Sequence, residues 1–348
     1  MKSSNELPID KHSMPPLSPF PTPPVAAFFG RALSSFQSSG SRLSVICTAT
    51  PTLPHGGHDY GEPTPLPPRI RPRSLIVLDS SFNPPTRAHL RMATSAIQEL
   101  RQELRHEQNQ GPGSLRLLLL LSINNADKGA KPAAFDKRLA MMWAFARDVQ
   151  RSLEADFGGE QASSEEEALI VDLGLSTVPY FHEKSAALAE DTFYHGERGM
   201  DEQSQTEQVF LVGYDTLIRI FDPKYYNPPG SEGQDSTGRP PAMRKALDPF
   251  FARAKLRVTM RTGDEWGGAD EQTAYLEGLL QAGGLSNMGG STDWGGRIRM
   301  VEGRKLGADV ISSTHARAAA KDRDSAKLDL MVTSEVRWWI EQENLYSE

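Results

Sequence analysis

The ten residues Ser80-Ser81-Phe82-Asn83-Pro84-Pro85-Thr86-Arg87-Ala88-His89 follow directly on a short apolar run, Leu75-Ile76-Val77-Leu78. They open a stretch whose apolar residues Leu90, Ala93, Ile97 and Leu100 recur at helical spacing. Thr86 can cap that helix, and the amides at its start are free to face an anion. Thr86 and His89 lie three apart, so their side chains share one face at the helix opening. A histidine there can donate to a phosphate oxygen and stabilise charge that builds on phosphorus during a displacement. The bland reading of the same string is a proline turn capped by threonine, with His89 as an ordinary helix residue. Ile311-Ser312-Ser313-Thr314-His315-Ala316-Arg317 repeats the plan near the other end of the chain. Hydroxyls and amides at a helix start, with an arginine one turn in, make a second anion cradle. Ser312 to Thr314 can also be read simply as an N-cap.

These segments need elements that hold them. Leu75–Leu78, Leu115–Ile123, Ala168–Leu173, Val209–Val212, Leu256–Met260 and Ile298–Val301 read as short buried strands, with helices expected after Thr86, over Phe135–Val149 and over Thr333–Leu345. The alternation predicts an α/β fold with a doubly wound, Rossmann-like parallel sheet covered on both faces. Ligands bind such sheets beyond the carboxyl ends of the strands. The residues at 79–89, 213–215 and 311–317 all fall at such ends.

The chain has 348 residues and a formal charge of −7, so phosphate contacts are expected from a local site and no nucleic-acid partner is expected. A single cysteine, Cys47, excludes an intramolecular disulfide and a cysteine metal cluster, and fits a reducing compartment. The longest apolar run is far short of a bilayer span. Residues 1–72, rich in Pro, Ser and Thr, read as a partly disordered extension. Within it Val25–Phe36 can form a short helix and Leu43–Thr48 a short strand. The remainder, 73–348, reads as one domain with loop insertions near 228–242 and 282–296. No acidic residue lies between Lys11 and His58, and Arg31 and Arg42 sit among serines. That is compatible with a mitochondrial transit peptide, but the basic residues are sparse, and a cytoplasmic or nuclear location is the expectation. His182 and His195 lack ligand spacing, so no protein-held metal is expected. Trp339 is expected in the core, while Trp338 offers a contact for a homo-oligomer.

The string at 80–89 resembles the phosphate-binding signature of the nucleotidyltransferase superfamily, Gly-Ser-Phe-Asn-Pro-(Pro/Ile)-Thr-x-x-His-Leu. The string at 311–317 resembles that superfamily's Ile-Ser-Ser-Thr-x-x-Arg motif. Phe210-Leu211-Val212-Gly213-Tyr214-Asp215-Thr216-Leu217 is similar to the Gly-Ala-Asp-x-Leu segment of eukaryotic-type nicotinamide/nicotinate mononucleotide adenylyltransferases. Thr259–Asp264 resembles their Val-Thr-Arg-x-Gly strand end, and Glu335–Tyr346 their closing helix. The resemblance covers residues 74–348. The strings 79–90 and 215–226 look most like a fungal branch described as mononucleotide adenylyltransferase-like and also as ATPases.

The resemblance implies transfer of AMP from ATP to the mononucleotide, in NAD biosynthesis, with Mg²⁺ carried on the ATP phosphates. By position it implies that Thr86 and His89, with Ser81 and Phe82, serve the ATP phosphates, and that Ser312, Ser313, Thr314 and Arg317 hold the β- and γ-phosphates. Catalysis would rest on His89, Thr86 and Arg317. Gly213 and Asp215 would contact ribose or base. Ser80, Asn83, Tyr226 and either Lys128 or Lys131 would face the mononucleotide, with Tyr226 stacked on the pyridine. Arg138 reads equally as a phosphate contact or a surface ion pair. The chain departs from the pattern at Ser80, where the family has glycine, and at Tyr214, where it often has alanine; both would put side chains near the mononucleotide. A tryptophan usual after the third strand has no match. Gly174 lies in that region, and Tyr180 or Phe181 can substitute. These departures support a second reading, an ATP hydrolase or nucleotide-dependent regulator that keeps the ATP site only. A third is a non-catalytic interaction protein acting through its Pro-rich N-terminus and the 228–242 loop.

Overall fold

The computed structural model describes residues 22–51, 63–106, 115–124, 133–156, 169–196, 205–226, 242–262, 266–281, 283–303 and 310–347. Seven strands form one sheet: β1 (Leu43–Ala49), β2 (Ser74–Asp79), β3 (Leu115–Ser122), β4 (Ile170–Ser176), β5 (Glu207–Gly213), β6 (Ala254–Thr259) and β7 (Ile298–Val301). Their order is β1-β4-β3-β2-β5-β6-β7. Every neighbouring pair runs parallel except β1 with β4. The sheet therefore has the expected doubly wound core, with chain order reversing between β2 and β5. A crevice opens beyond the carboxyl ends of those two strands.

The helices are α1 (Thr22–Ser39), α2 (Arg87–His106), α3 (Phe135–Asp156), α4 (Phe181–Glu190), α5 (Tyr214–Ile220), α6 (Ala242–Arg253), α7 (Ala269–Leu280), α8 (Gly284–Asn287), α9 (Ser313–Lys321), α10 (Ser325–Met331) and α11 (Ser334–Gln342). The central strands are apolar on both sides because helices cover both faces. Ile76, Leu78, Leu117 and Leu119 join the core shared with α1, α2, α3, α9, α10 and α11. Their sequence neighbours Leu75, Val77, Leu118 and Leu120 join the opposite core, shared with α4, α5, α6 and α7. Trp339 is buried as expected, and Trp338 packs partly buried against the same core.

Two expectations need correction. The folded unit does not begin at residue 73. The helix and strand expected within the extension are both integral to the domain: β1 forms the sheet's antiparallel edge, and Phe29 of α1 is fully buried against Trp143 of α3, ring centroids 6.4 Å apart. Thr48 donates to Asp172 on β4 at 2.7 Å, and the Arg116 guanidinium lies 3.3 Å from that carboxylate. The short apolar patterns of both elements are legible, but the proline and serine around them make the segment read as an extension and not as part of the domain. The second correction concerns 282–296, expected as a glycine-rich loop. Of its described residues, Gly284–Asn287 form α8, and a 3-10 turn over Thr292–Arg297 buries Trp294 against Phe251. The indole N–H donates to Asp248 at 2.9 Å. The insertion at 228–242 lies outside the described residues apart from Ala242, which begins α6.

Candidate functional site

Two cavities meet above the reversal point of the sheet. The larger, 430 Å³, runs from the end of β2 past β5 and β6 to the start of α9. The smaller, 180 Å³, lies over the start of α4 and the end of α5. Asp79, Ser80, Ser81, Phe181, Thr216 and Arg219 line both. A ligand filling each cavity would thus meet its neighbour at Ser80 and Ser81.

The larger cavity gathers most of the residues expected to hold a triphosphate. Ser81, Thr86, His89, Gly213, Asp215, Ser312, Ser313, Thr314 and Arg317 all line it. Thr86 accepts the first helical bond of α2 through its carbonyl, and its own amide donates to His89 Nδ1 at 3.0 Å. The Thr86 hydroxyl lies 2.8 Å from the same nitrogen. Because a backbone amide can only donate, Nδ1 is the acceptor and the ring proton resides on Nε2. Burial lowers the imidazole pKa to about 4, so His89 is neutral near pH 7. Ser312 caps α9 by accepting from His315 N–H. Ser313 Oγ donates to the Pro84 carbonyl at 2.9 Å, and Arg317 to the Asn83 carbonyl at 2.6 Å. The two motifs, far apart in sequence, are therefore stitched directly together. Gly213 approaches Asp215 so closely that a Cβ at this position would lie 2.8 Å from its carboxylate.

Four expected placements are overturned by packing. Phe82 is fully buried, with its ring against His89 and Phe145, so its side chain is core and not a nucleotide contact. Its φ of 43° lies in the left-handed region, which lets the chain turn while the ring points inward. Asn83 is buried too. Its Oδ1 accepts from Ala133 N–H and the Tyr346 hydroxyl, and it lines neither cavity. Tyr214 packs into the core against Tyr275 and lines neither cavity. Arg138 is buried, donates to the Ala133 carbonyl and stacks on Phe135; it lines neither cavity. Lys128 and Lys131 lie outside the described residues.

The smaller cavity has an aromatic wall. Tyr180 stacks on His182 at 5.7 Å with an interplanar angle of 10°, and His182 sits 5.8 Å from Tyr226. Tyr226 lines this cavity as expected, its hydroxyl committed to the Ile220 carbonyl at 2.6 Å. Tyr180 and Phe181 both border it, but Phe181 also packs edge-on against Phe210. Burial lowers the His182 pKa, against the opposing effect of Glu183. Ser122, at the end of β3, brings a hydroxyl oxygen that is buried without a partner among the described residues. A ligand with a hydrogen-bonding group would satisfy it.

Several site residues carried little or no sequence signal. Asp79 borders both cavities and is ion-paired with Lys184, which is buried on α4. No spacing rule links residues so far apart in the chain. Arg261 extends from the end of β6 and donates to Asp215 at 3.1 Å. Its place at a strand end, within 259–264, was its only sequence signal. Arg91 lies one turn beyond Arg87 on α2 and reaches the Gly303 carbonyl at 2.7 Å. Ser80 does face the site, and its hydroxyl oxygen lies 3.0 Å from His89 Nε2.

No family model matches the chain. A Schizosaccharomyces pombe protein named "Putative nicotinamide mononucleotide adenylyltransferase" is 30% identical over 270 residues, covering 77% of this chain and 84% of its own. Two solved structures of Plasmodium falciparum nicotinic acid mononucleotide adenylyltransferase, one complexed with NaAD and one with APC, each cover 79% of this chain and 98% of their own. Their TM-scores are 0.36 and 0.37 and their identities 11% and 10%, values at which no residue role carries over.

Proposed function

Because the chain belongs to the nicotinamide mononucleotide adenylyltransferase family, we propose that it transfers AMP from ATP to nicotinamide or nicotinate mononucleotide, giving NAD or its deamidated form and pyrophosphate. The observation that carries this reading is the pair of cavities sharing Ser80 and Ser81. ATP occupies the larger, with its α-phosphate toward the junction. The mononucleotide occupies the smaller, its pyridine against the Tyr180–His182–Tyr226 wall and its phosphate at the same junction.

In the reaction an oxygen of the mononucleotide's 5′-phosphate forms a bond to the α-phosphorus of ATP. The bond from that phosphorus to the bridging oxygen breaks in line, and pyrophosphate leaves with the electron pair. The attacking phosphate is already ionised near neutral pH, so no general base is needed. Catalysis is then positioning and charge stabilisation. Thr86 and His89 act at the α-phosphate end, and Ser312, Ser313, Thr314 and Arg317 at the β and γ end. Asp215 and Gly213 sit where ribose or base would lie.

Of the three acidic residues lining the larger cavity, Asp79, Asp215 and Glu302, the first two already carry basic partners in Lys184 and Arg261. That arrangement fits Mg²⁺ carried by phosphate oxygens and water more than a metal held by the protein. Such an ion would neutralise triphosphate charge. The acidic chain and the half-buried aromatic wall of the smaller cavity fit small-molecule substrates.

The test is to incubate purified protein with ATP, Mg²⁺ and nicotinamide mononucleotide and to follow NAD and pyrophosphate. Both are expected in equal amounts. A parallel reaction with the deamidated mononucleotide ranks the acceptors; absence of dinucleotide and pyrophosphate with both overturns the reading, and phosphate release with water as sole acceptor would mark a hydrolase. Arg317→Ala is expected to raise the KM for ATP roughly 10-fold, the worth of one hydrogen bond to a charged oxygen. The KM for the mononucleotide should stay within about twofold, because Arg317 lines only the larger cavity. Equal increases for both substrates would count against the assignment of the larger cavity to ATP.

A further inference from the structure

The Ser80–His89 contact has a determined direction. An imidazole ring at ordinary pH carries at least one proton. His89 Nδ1 accepts from the Thr86 amide at 3.0 Å, so the proton is on Nε2. Nε2 lies 3.0 Å from Ser80 Oγ. The serine oxygen must therefore accept, and its own hydroxyl hydrogen is directed elsewhere. Among the described residues Ser80 Oγ has no other partner, and Ser80 borders both cavities. The residue is also fixed in place: its amide donates to the Leu120 carbonyl at 3.2 Å, and Asp79 before it is held by Lys184.

From this geometry we propose that Ser80 is a substrate-contacting residue, whose hydroxyl, polarised by His89 Nε2–H, donates a hydrogen bond to a phosphate oxygen of the nucleotide at the junction of the two cavities. The proposal rests on the ATP reading of the larger cavity given above. Thr86, His89 and Ser80 then form one chain of donors: Thr86 N–H to Nδ1, Nε2–H to Ser80 Oγ, and Ser80 O–H to phosphate. Successive donors in such a chain polarise one another. No proton changes owner. The histidine sets the direction of the serine hydroxyl, and the serine completes the reach to the anion. A small polar side chain here replaces direct access of Nε2 to the cavity.

The experiment compares Ser80→Ala and Ser80→Gly in the full chain. The primary readout is the dissociation constant of Mg-ATP by calorimetry, with the NAD-forming rate measured alongside. In Ser80→Ala a methyl group covers Nε2–H and supplies no donor, so Mg-ATP binding is expected to weaken roughly 10-fold. In Ser80→Gly nothing stands between Nε2–H and the cavity, so binding is expected to recover to within about threefold of the unaltered protein. A serine with a purely structural role gives the reverse order, because glycine at a strand end is less stable than alanine. In a His89→Ala background, Ser80→Ala is expected to add no further loss, since the pair acts as one unit. Alanine binding Mg-ATP as tightly as serine, glycine at or below alanine, or additive losses in the double variant would each overturn the proposal. If the unaltered protein forms no NAD, the transfer reading fails on its own, and the order of Mg-ATP affinities still decides the role of Ser80.

Discussion

Replacing His89 by alanine is expected to slow NAD formation by roughly 10²-fold or more, the loss seen when one preorganised donor to developing charge is removed. The reason lies in how fully the ring is committed. Its Nδ1 is occupied by the Thr86 amide and hydroxyl, and its Nε2–H is directed at the oxygen of Ser80, which borders both cavities. Burial holds the pKa near 4, well below the 6.5 of a free histidine. Between those values the unfolded chain binds a proton that the folded chain refuses. Stability therefore falls as pH drops from about 6.5 toward 4, and His89 makes no contribution to pH dependence above that window. With its pKa lowered to about 4, His89 is not expected to be the source of a rate change near neutrality. A nucleotide phosphate itself titrates at about pH 6. An acidic limb of the pH–rate profile near that value is expected, and it should persist unchanged in His89→Ala. Disappearance of that limb in the variant would mean that the ring titrates during turnover. Equal rates for the two proteins would remove His89 from the mechanism.

The parts of this site that were legible in the sequence share one property. Thr86, His89, Ser312, Ser313, Thr314 and Arg317 are near-neighbours in short strings at helix starts, where local backbone geometry decides what the side chains face. The sheet was legible for a similar reason, since a buried parallel strand is an unbroken apolar run such as Leu117–Leu121. Reading failed where burial alone decides direction. Phe82 and Asn83 lie in the middle of the phosphate-binding string, and nothing in their spacing separates them from Ser81. One packs against Phe145 and the other is tied down by Ala133 and Tyr346. Tyr214 was misplaced in the same way. Pairing across the fold was equally hidden: Lys184 reaches Asp79, and Arg261 reaches Asp215, through contacts that no local pattern encodes. The proline-rich start misled most. Its composition reads as extension, yet it contributes a helix and the edge strand of the sheet.

A chain truncated to begin at Arg73 is therefore expected to be unstable, with little soluble protein and no cooperative unfolding transition. The truncation removes Val25, Phe29, Phe36, Leu43 and Val45, each at least 93% buried. At roughly 1.5–3 kcal/mol per large apolar side chain, their loss amounts to about 8–15 kcal/mol. That is comparable to the whole stability of an ordinary domain, about 5–15 kcal/mol. The apolar term is only part of the loss. β4 would become an edge strand with its ladder from Leu43↔Ser176 to Ala49↔Val171 stripped, a template for aggregation. Asp172, whose carboxyl pKa is already raised by burial, would lose the hydroxyl of Thr48, and Arg116 would lose the Leu66 carbonyl. A graded companion separates packing from simple chain shortening. Phe29→Ala in the full chain is expected to cost roughly 3–5 kcal/mol by denaturant unfolding, the range for a buried aromatic cut to alanine. If the chain from Arg73 were soluble and unfolded at the same denaturant midpoint as the full chain, α1 and β1 would be a dispensable cover. The domain boundary would then return to where the composition put it.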